Sequence, residues 1–157
     1  MAKEELYSWE QISKAESGTV FLDRFEDGLR FLIMKGGSSL CAYAGIPITH
    51  PLAGFGYDDI PVEAHGGLTF SGEGGAKNSK GVATWPEGFW WYGWDYAHAG
   101  DYCDYYDKLS FGERMNYREN ETKWLVGMVD NDSWETLYGF KKLMTLAEKI
   151  YNKKIKP

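Results

Sequence analysis

Two short stretches of the chain carry the residue types that do chemistry. The first is Asp95-Tyr96-Ala97-His98-Ala99-Gly100-Asp101, with an imidazole three residues from a carboxylate on either side. A carboxylate placed there can accept from one ring nitrogen and fix the tautomer, leaving the other nitrogen for proton transfer, a ligand or a metal. The second is His65-Gly66-Gly67-Leu68-Thr69. Glycine lets backbone come close to a ligand, or takes a positive φ that other residues resist, so a histidine at such a bend keeps both ring nitrogens available. We expect the two stretches to converge on one polar pocket.

If that pocket is catalytic, His65, His98, Asp95 and Asp101 carry the reaction. His98, paired with Asp95 or Asp101, is then the general base and His65 the general acid. If it only binds, His65, Gly66, Gly67, Asp95, His98 and Asp101 hold the polar groups of a ligand, while Trp90, Trp94, Tyr96 or Tyr102 stacks on an aromatic ring. The same His and Asp residues form a mixed nitrogen and oxygen set for a divalent metal. A metal is therefore a candidate cofactor, although no His-x-His, HExxH or cysteine pairing marks one. A GxSxG elbow, a P-loop and a GxGxxG turn after a strand are all missing. His50, set between Thr49 and Pro51, reads as structural, and Asp58-Asp59 as turn residues.

The elements that must position these residues follow from patterning. Glu4 to Ser17 reads as a short amphipathic helix, with Leu6, Trp9 and Ile12 at helical spacing. Asp27-Gly28, flanked by Val20 to Glu26 and Leu29 to Met34, is a strong hairpin signal. Leu40 to Gly45 reads as a third strand, and Val62 to Phe70 as two short strands or one bent strand, with Gly66-Gly67 as the bend. Ser71 to Gly81 reads as a surface loop, with a lid the lesser alternative. The uninterrupted apolar run Phe89 to Asp95 reads as a central strand. Glu119 to Val129 is a weaker helical segment. Asp132-Ser133-Trp134-Glu135 reads as an N-cap and capping box opening the longest helix, to about Asn152. Leu137, Phe140, Met144, Ala147 and Ile150 form its buried stripe. The expected fold is α+β: a mainly antiparallel twisted sheet packed against a long C-terminal helix, with a short N-terminal helix, in a single domain over 1–157.

Composition narrows the partners. Aromatics are 17% of the chain, enough apolar area to offset chain entropy. A formal charge of −6 argues against a nucleic-acid polymer, whose binders carry a basic face. The apolar runs are too short for a membrane span, and no signal peptide is visible, so the expected location is the cytoplasm. The two cysteines, Cys41 and Cys103, read as buried free thiols. The aromatic surplus is compatible with a homodimer.

Several motifs together carry a resemblance. They are Cys41-x-Tyr43, Pro47-x-x-His50-Pro51-Leu52-x-Gly54-x-x-Tyr57-Asp58-Asp59, His65-Gly66-Gly67-Leu68-Thr69-Phe70, and Gly93-Trp94-Asp95-x-Ala97-His98-x-Gly100-Asp101. Across residues 29–151 the chain resembles a family of small proteins of bacteriophages and their hosts. It departs from them in a longer stretch around Gly72 to Pro86, and in Tyr96 where related chains carry cysteine. The resemblance implies a phage setting inside the host cell, where small proteins counter host defence. The expected function is capture of a small nucleotide-like ligand, such as a host immune signal. Two alternatives are hydrolysis of a phosphodiester or glycosidic bond in that ligand, metal-assisted or not, and direct inhibition of a host defence protein.

Overall fold

In a computed structural model, residues 5–77, 85–113 and 120–155 are described. Strands β1 (Val20–Glu26), β2 (Leu29–Lys35), β3 (Leu40–Pro47), β4 (Phe70–Glu73) and β5 (Phe89–Asp95) form one sheet in the order β1-β2-β3-β5-β4. Every pairing is antiparallel. Helix α1 (Trp9–Lys14) precedes the sheet; α2 (Val126–Asp132) and α3 (Trp134–Ile155) follow it. The α+β architecture expected from patterning is the one observed. No helix among the described residues is long and apolar enough to cross a membrane.

The hairpin forms where Asp27-Gly28 lies, both residues having positive φ, 54° and 79°. That combination is the type I′ turn whose twist matches its strands. Side-chain alternation then sorts β2 onto two faces. Leu29, Phe31 and Ile33 join Ala42, Ala44, Tyr92 and Trp94 under the helices. Leu32 and Met34 meet Trp91 on the opposite face, covered by Tyr43, Phe70, Trp85 and Phe89. The aromatic residues thus roof this second face, on which no helix residue packs among the described residues.

Helix α1 is six residues long, shorter than the span read from Glu4 to Ser17, and Leu6 is exposed. It starts with a capping box between Ser8 and Gln11. Its C-terminal end is held from outside: the buried Lys35 ammonium donates to the carbonyls of Ile12, Ser13 and Ala15 and to Asp104 Oδ2. Ser71 to Glu73, read as loop, belong to β4 because they pair with Trp90 to Tyr92. The rest of that stretch, and the lid alternative, fall largely on residues 78–84, outside the described residues. Residues 61–69 form no strand; the backbone turns at His65-Gly66 and β4 begins only at Phe70. The helix read from Glu119 is Val126–Asp132, with residue 119 outside the described residues.

Helix α3 opens at Trp134, as its sequence signals, but Asp132 is the last residue of α2 and its carboxylate takes another partner. Leu137, Phe140 and Met144 are buried, Ala147 packs against the core in part, and Ile150 lies exposed, in a stretch where residues 148–154 are all exposed. Trp134 is 66% exposed and contributes little to the core. Phe140→Ala is expected to lower stability by about 3–5 kcal/mol through lost contacts and the cavity it leaves. Trp134→Ala should cost less than about 1 kcal/mol. Urea unfolding of the two variants measures both.

Candidate functional site

Three segments meet beyond the end of β5. Tyr96 extends the ladder through its N–H to Leu40 O, and the chain then turns, with Asp101 N–H donating to His98 O. Asp101 pairs with Thr122 in an isolated parallel bridge. On the other side, the turn at His65 closes through Gly67 N–H to Ala64 O. That turn is tied to α3 by the Thr136 hydroxyl donating to Glu63 O, and to β5 by Thr69 N–H donating to Gly93 O. Backbone hydrogen bonds therefore fix both histidine-bearing turns.

Asp101 is the hub. Its side chain is 3% exposed and accepts three hydrogen bonds. His65 Nε2 donates to Oδ2 at 2.7 Å, the His98 backbone N–H donates to the same oxygen at 2.9 Å, and Trp124 Nε1 donates to Oδ1 at 2.7 Å. Because a carboxylate only accepts, Nε2 of His65 carries a proton in this arrangement, and in the neutral ring Nδ1 then holds the lone pair. The His65 ring stacks on Tyr96, with centroids 4.3 Å apart and planes at 18°. Trp124 meets it edge-on at 5.0 Å. His65 Nδ1 lies 3.9 Å from Asp132 Oδ2. Tyr96 donates to that same oxygen at 2.8 Å. Burial, and next to it the Asp132 carboxylate, keep the Tyr96 hydroxyl far above its ordinary range, so it remains a donor.

His98 is differently placed. Its ring packs against Gly66, where any Cβ would collide with it, and Gly66 has φ +69°. Glycine is required there twice over, for space and for conformation. His98 Nδ1 is enclosed and makes no hydrogen bond. Asp95 Oδ1 is 3.5 Å away and Asp101 Oδ2 3.8 Å, both too far or too poorly aligned to satisfy it. Asp95 instead accepts from Ala97 N–H at 3.1 Å and Thr69 Oγ1 at 3.5 Å. One donor atom from each of His65, His98 and Asp101 lies within 4.8 Å of the other two, so that, among the described residues, these three are grouped closely enough to hold a metal.

Several expected roles change. Of the two carboxylates read for His98, Asp101 is hydrogen-bonded to His65, because the turn between His98 and Asp101 directs the acid across to the other loop, while Asp95 Oδ1 stays 3.5 Å from His98 Nδ1. Trp94, Tyr96 and Tyr102 are 1%, 0% and 1% exposed and cannot receive a base on their faces; they are walls of the interior. Gly67 N–H is consumed by its own turn and is not free to cradle an anion. His50 holds its own loop, accepting Leu52 N–H at Nδ1 and contacting Glu148 at 2.9 Å. Asp58 and Asp59 lie in a 3-10 turn, Tyr57–Asp59.

Sequence reasoning missed Trp124, Asp132 and the surface beside them. His65 and Asp132 open onto a groove of roughly 580 Å³ between residues 61–65 and α3, lined also by Glu63, Trp134, Glu135, Tyr138 and Lys142. Trp134 and Tyr138, one helical turn apart, stack with planes at 4°, and Lys142 Nζ sits 4.6 Å from the Tyr138 ring centroid. The i, i+4, i+8 spacing of Trp134, Tyr138 and Lys142 was the available signal, but a capping-box reading absorbed its first residue. No protein-family model, curated protein or solved structure matches the chain.

Asp101→Ala should destabilise the protein by about 3 kcal/mol or more, since it strands three donors in the interior. Gly66→Ala should displace the His98 ring and shift its imidazole resonances in NMR spectra. Cys103 is buried as expected but Cys41 only half-buried; that partial burial pushes the Cys41 thiol up to about 11 from 9.0, with Asp95 adding to the shift. Each unit is tenfold in thiolate, so alkylation of native Cys41 at pH 8 should run about 100-fold slower than in denaturant. Mass spectrometry after a timed iodoacetamide pulse measures the ratio.

Proposed function

We propose that the protein binds a small nucleotide-like molecule in the groove between the His65 loop and α3. The observation that carries this reading is the exposed Trp134–Tyr138 stack standing in the same groove as His65 and Asp132. Trp134 offers an indole face for a base, a contact worth about 1–3 kcal/mol. The groove volume falls in the range of small-molecule sites. Charge narrows the ligand further. Glu63, Asp132 and Glu135 face a single lysine, Lys142, which opposes a polyphosphate and favours sugar hydroxyls that donate to carboxylates. The ligand class is accordingly a nucleoside or a sparsely phosphorylated nucleotide, with base on Trp134 and ribose toward Asp132 and His65. In the bacteriophage setting implied by the sequence resemblance, such capture withdraws a host immune signal.

A second reading, hydrolysis of the glycosidic bond in that ligand, is favoured by the His65–Asp101 pair. His65 Nδ1 can take a proton from water while Asp101, bonded to Nε2–H, stabilises the imidazolium that forms. The acidic groove disfavours the phosphodiester version.

Calorimetric titration with adenosine, a cyclic nucleotide and ADP-ribose, followed by heat denaturation and chromatography of the released ligand, tests both. Binding is expected, with intact ligand recovered; Trp134→Ala should weaken it at least tenfold while unfolding as the wild type does. His65→Ala should abolish it as well, at a cost in stability from the donor that buried Asp101 loses. Recovery of free base with turnover replaces capture by hydrolysis. Equal binding by Trp134→Ala overturns the groove assignment.

A further inference from the structure

A buried ring nitrogen without a hydrogen-bond partner is rare and needs a reason. His98 Nδ1 is such an atom. It is enclosed although its ring is 37% exposed, and the groups around it are donors suited to a cation: Asp95 Oδ1 at 3.5 Å, Asp101 Oδ2 at 3.8 Å, and His65, whose Nε2 lies 2.7 Å from that same Asp101 oxygen. We propose that His65 Nε2, His98 Nδ1 and Asp101 Oδ2 form a binding site for a divalent transition ion of the zinc class.

Ligand chemistry selects the ion. Two imidazoles and one carboxylate suit zinc and its neighbours, whereas magnesium and calcium require sets made of oxygen. The geometry needs little adjustment. Tetrahedral ligands about 2.0–2.1 Å from zinc stand roughly 3.3 Å from one another. The observed separations of 2.7 and 3.8 Å bracket that value, and all three donors fall within 4.8 Å. The ion displaces the proton that His65 Nε2 shares with Asp101.

The surrounding groups are those that orient metal ligands. Trp124 donates to Asp101 Oδ1 and fixes the carboxylate. With the ion on Nε2, the His65 proton moves to Nδ1, which points toward Asp132 Oδ2 at 3.9 Å, itself held by the Tyr96 hydroxyl. Gly66 keeps the His98 ring in place from behind. Three protein ligands leave a fourth position, beside Asp95, for water or a substrate atom. The site lies on the Nε2 edge of His65 and the nucleoside groove on its Nδ1 edge, so the two are adjacent but separately testable.

The test uses tag-free full-length protein stripped with chelator and titrated with zinc chloride by calorimetry. Cobalt(II) serves as a spectroscopic substitute. One equivalent of zinc, a rise in melting temperature, and visible cobalt bands of a four-coordinate nitrogen and oxygen site are expected. His98→Ala should weaken zinc binding at least 100-fold while keeping the wild-type melting temperature without metal, because His98 Nδ1 has no hydrogen bond to lose. His50→Ala, which alters an unrelated histidine, should leave zinc binding unchanged. Failure of the wild type to take up stoichiometric zinc, or undiminished uptake by His98→Ala, overturns the site. Titration of stripped His98→Ala with adenosine reads the groove independently: retained nucleoside binding with lost zinc separates the two proposals.

Discussion

The site depends on a single carboxylate placed where water cannot reach it. Burying a charge without partners costs several kcal/mol. Asp101 is tolerable only because an imidazole N–H, an indole N–H and a backbone N–H converge on it. The dependence runs both ways. The need to satisfy Asp101 draws together the loop around His65, the turn after β5 and the segment bearing Trp124, none of which belongs to the regular ladder of the sheet. What the aromatic packing does for the core, this one acceptor does for the irregular part of the molecule.

Regular elements were legible in the sequence because their determinants are local. Asp27-Gly28 can make the β1–β2 turn with no help from the rest of the chain, and the alternation through Leu29, Phe31 and Ile33 already states which side of β2 meets the helices. The span Phe89 to Asp95 was readable for the same reason. The pairing within the site was not. Asp101 is three residues from His98 and thirty-six from His65, so spacing favours the nearer histidine, whereas the fold assigns the farther one. Nothing in the string marks Trp124 as the donor to Asp101, since that contact exists only after Thr122 pairs with Asp101. Trp94 and Tyr96 misled for a physical reason: aromatics serve equally as core and as ligand platform, and only burial decides between the two.

The two edges of the His65 ring organise the surroundings differently. The Nε2 edge faces Asp101, His98 and Trp124, of which only Asp101 is fully buried, while the Nδ1 edge faces Asp132 and an open groove. One imidazole thus joins a hydrogen-bonded cluster to an open surface. Tyr96, stacked beneath the ring and bonded to Asp132, holds both sides in register from the core. The arrangement explains why an aromatic residue with a hydroxyl stands at position 96: phenylalanine would stack as well but would leave Asp132 free to turn away.

Lys35 extends the same principle to the amino-terminal helix. Helix α1 has six residues, well below the length at which an isolated helix survives in water. Its closing carbonyls are gripped by an ammonium group that also holds Asp104, at the start of the 3-10 turn leading to Lys108. The amino-terminal helix and that distant turn consequently share one fastening, and neither can fray without loosening the other. Amide exchange in the two segments would therefore proceed with a common opening free energy, as one cooperative unit made of pieces about ninety residues apart.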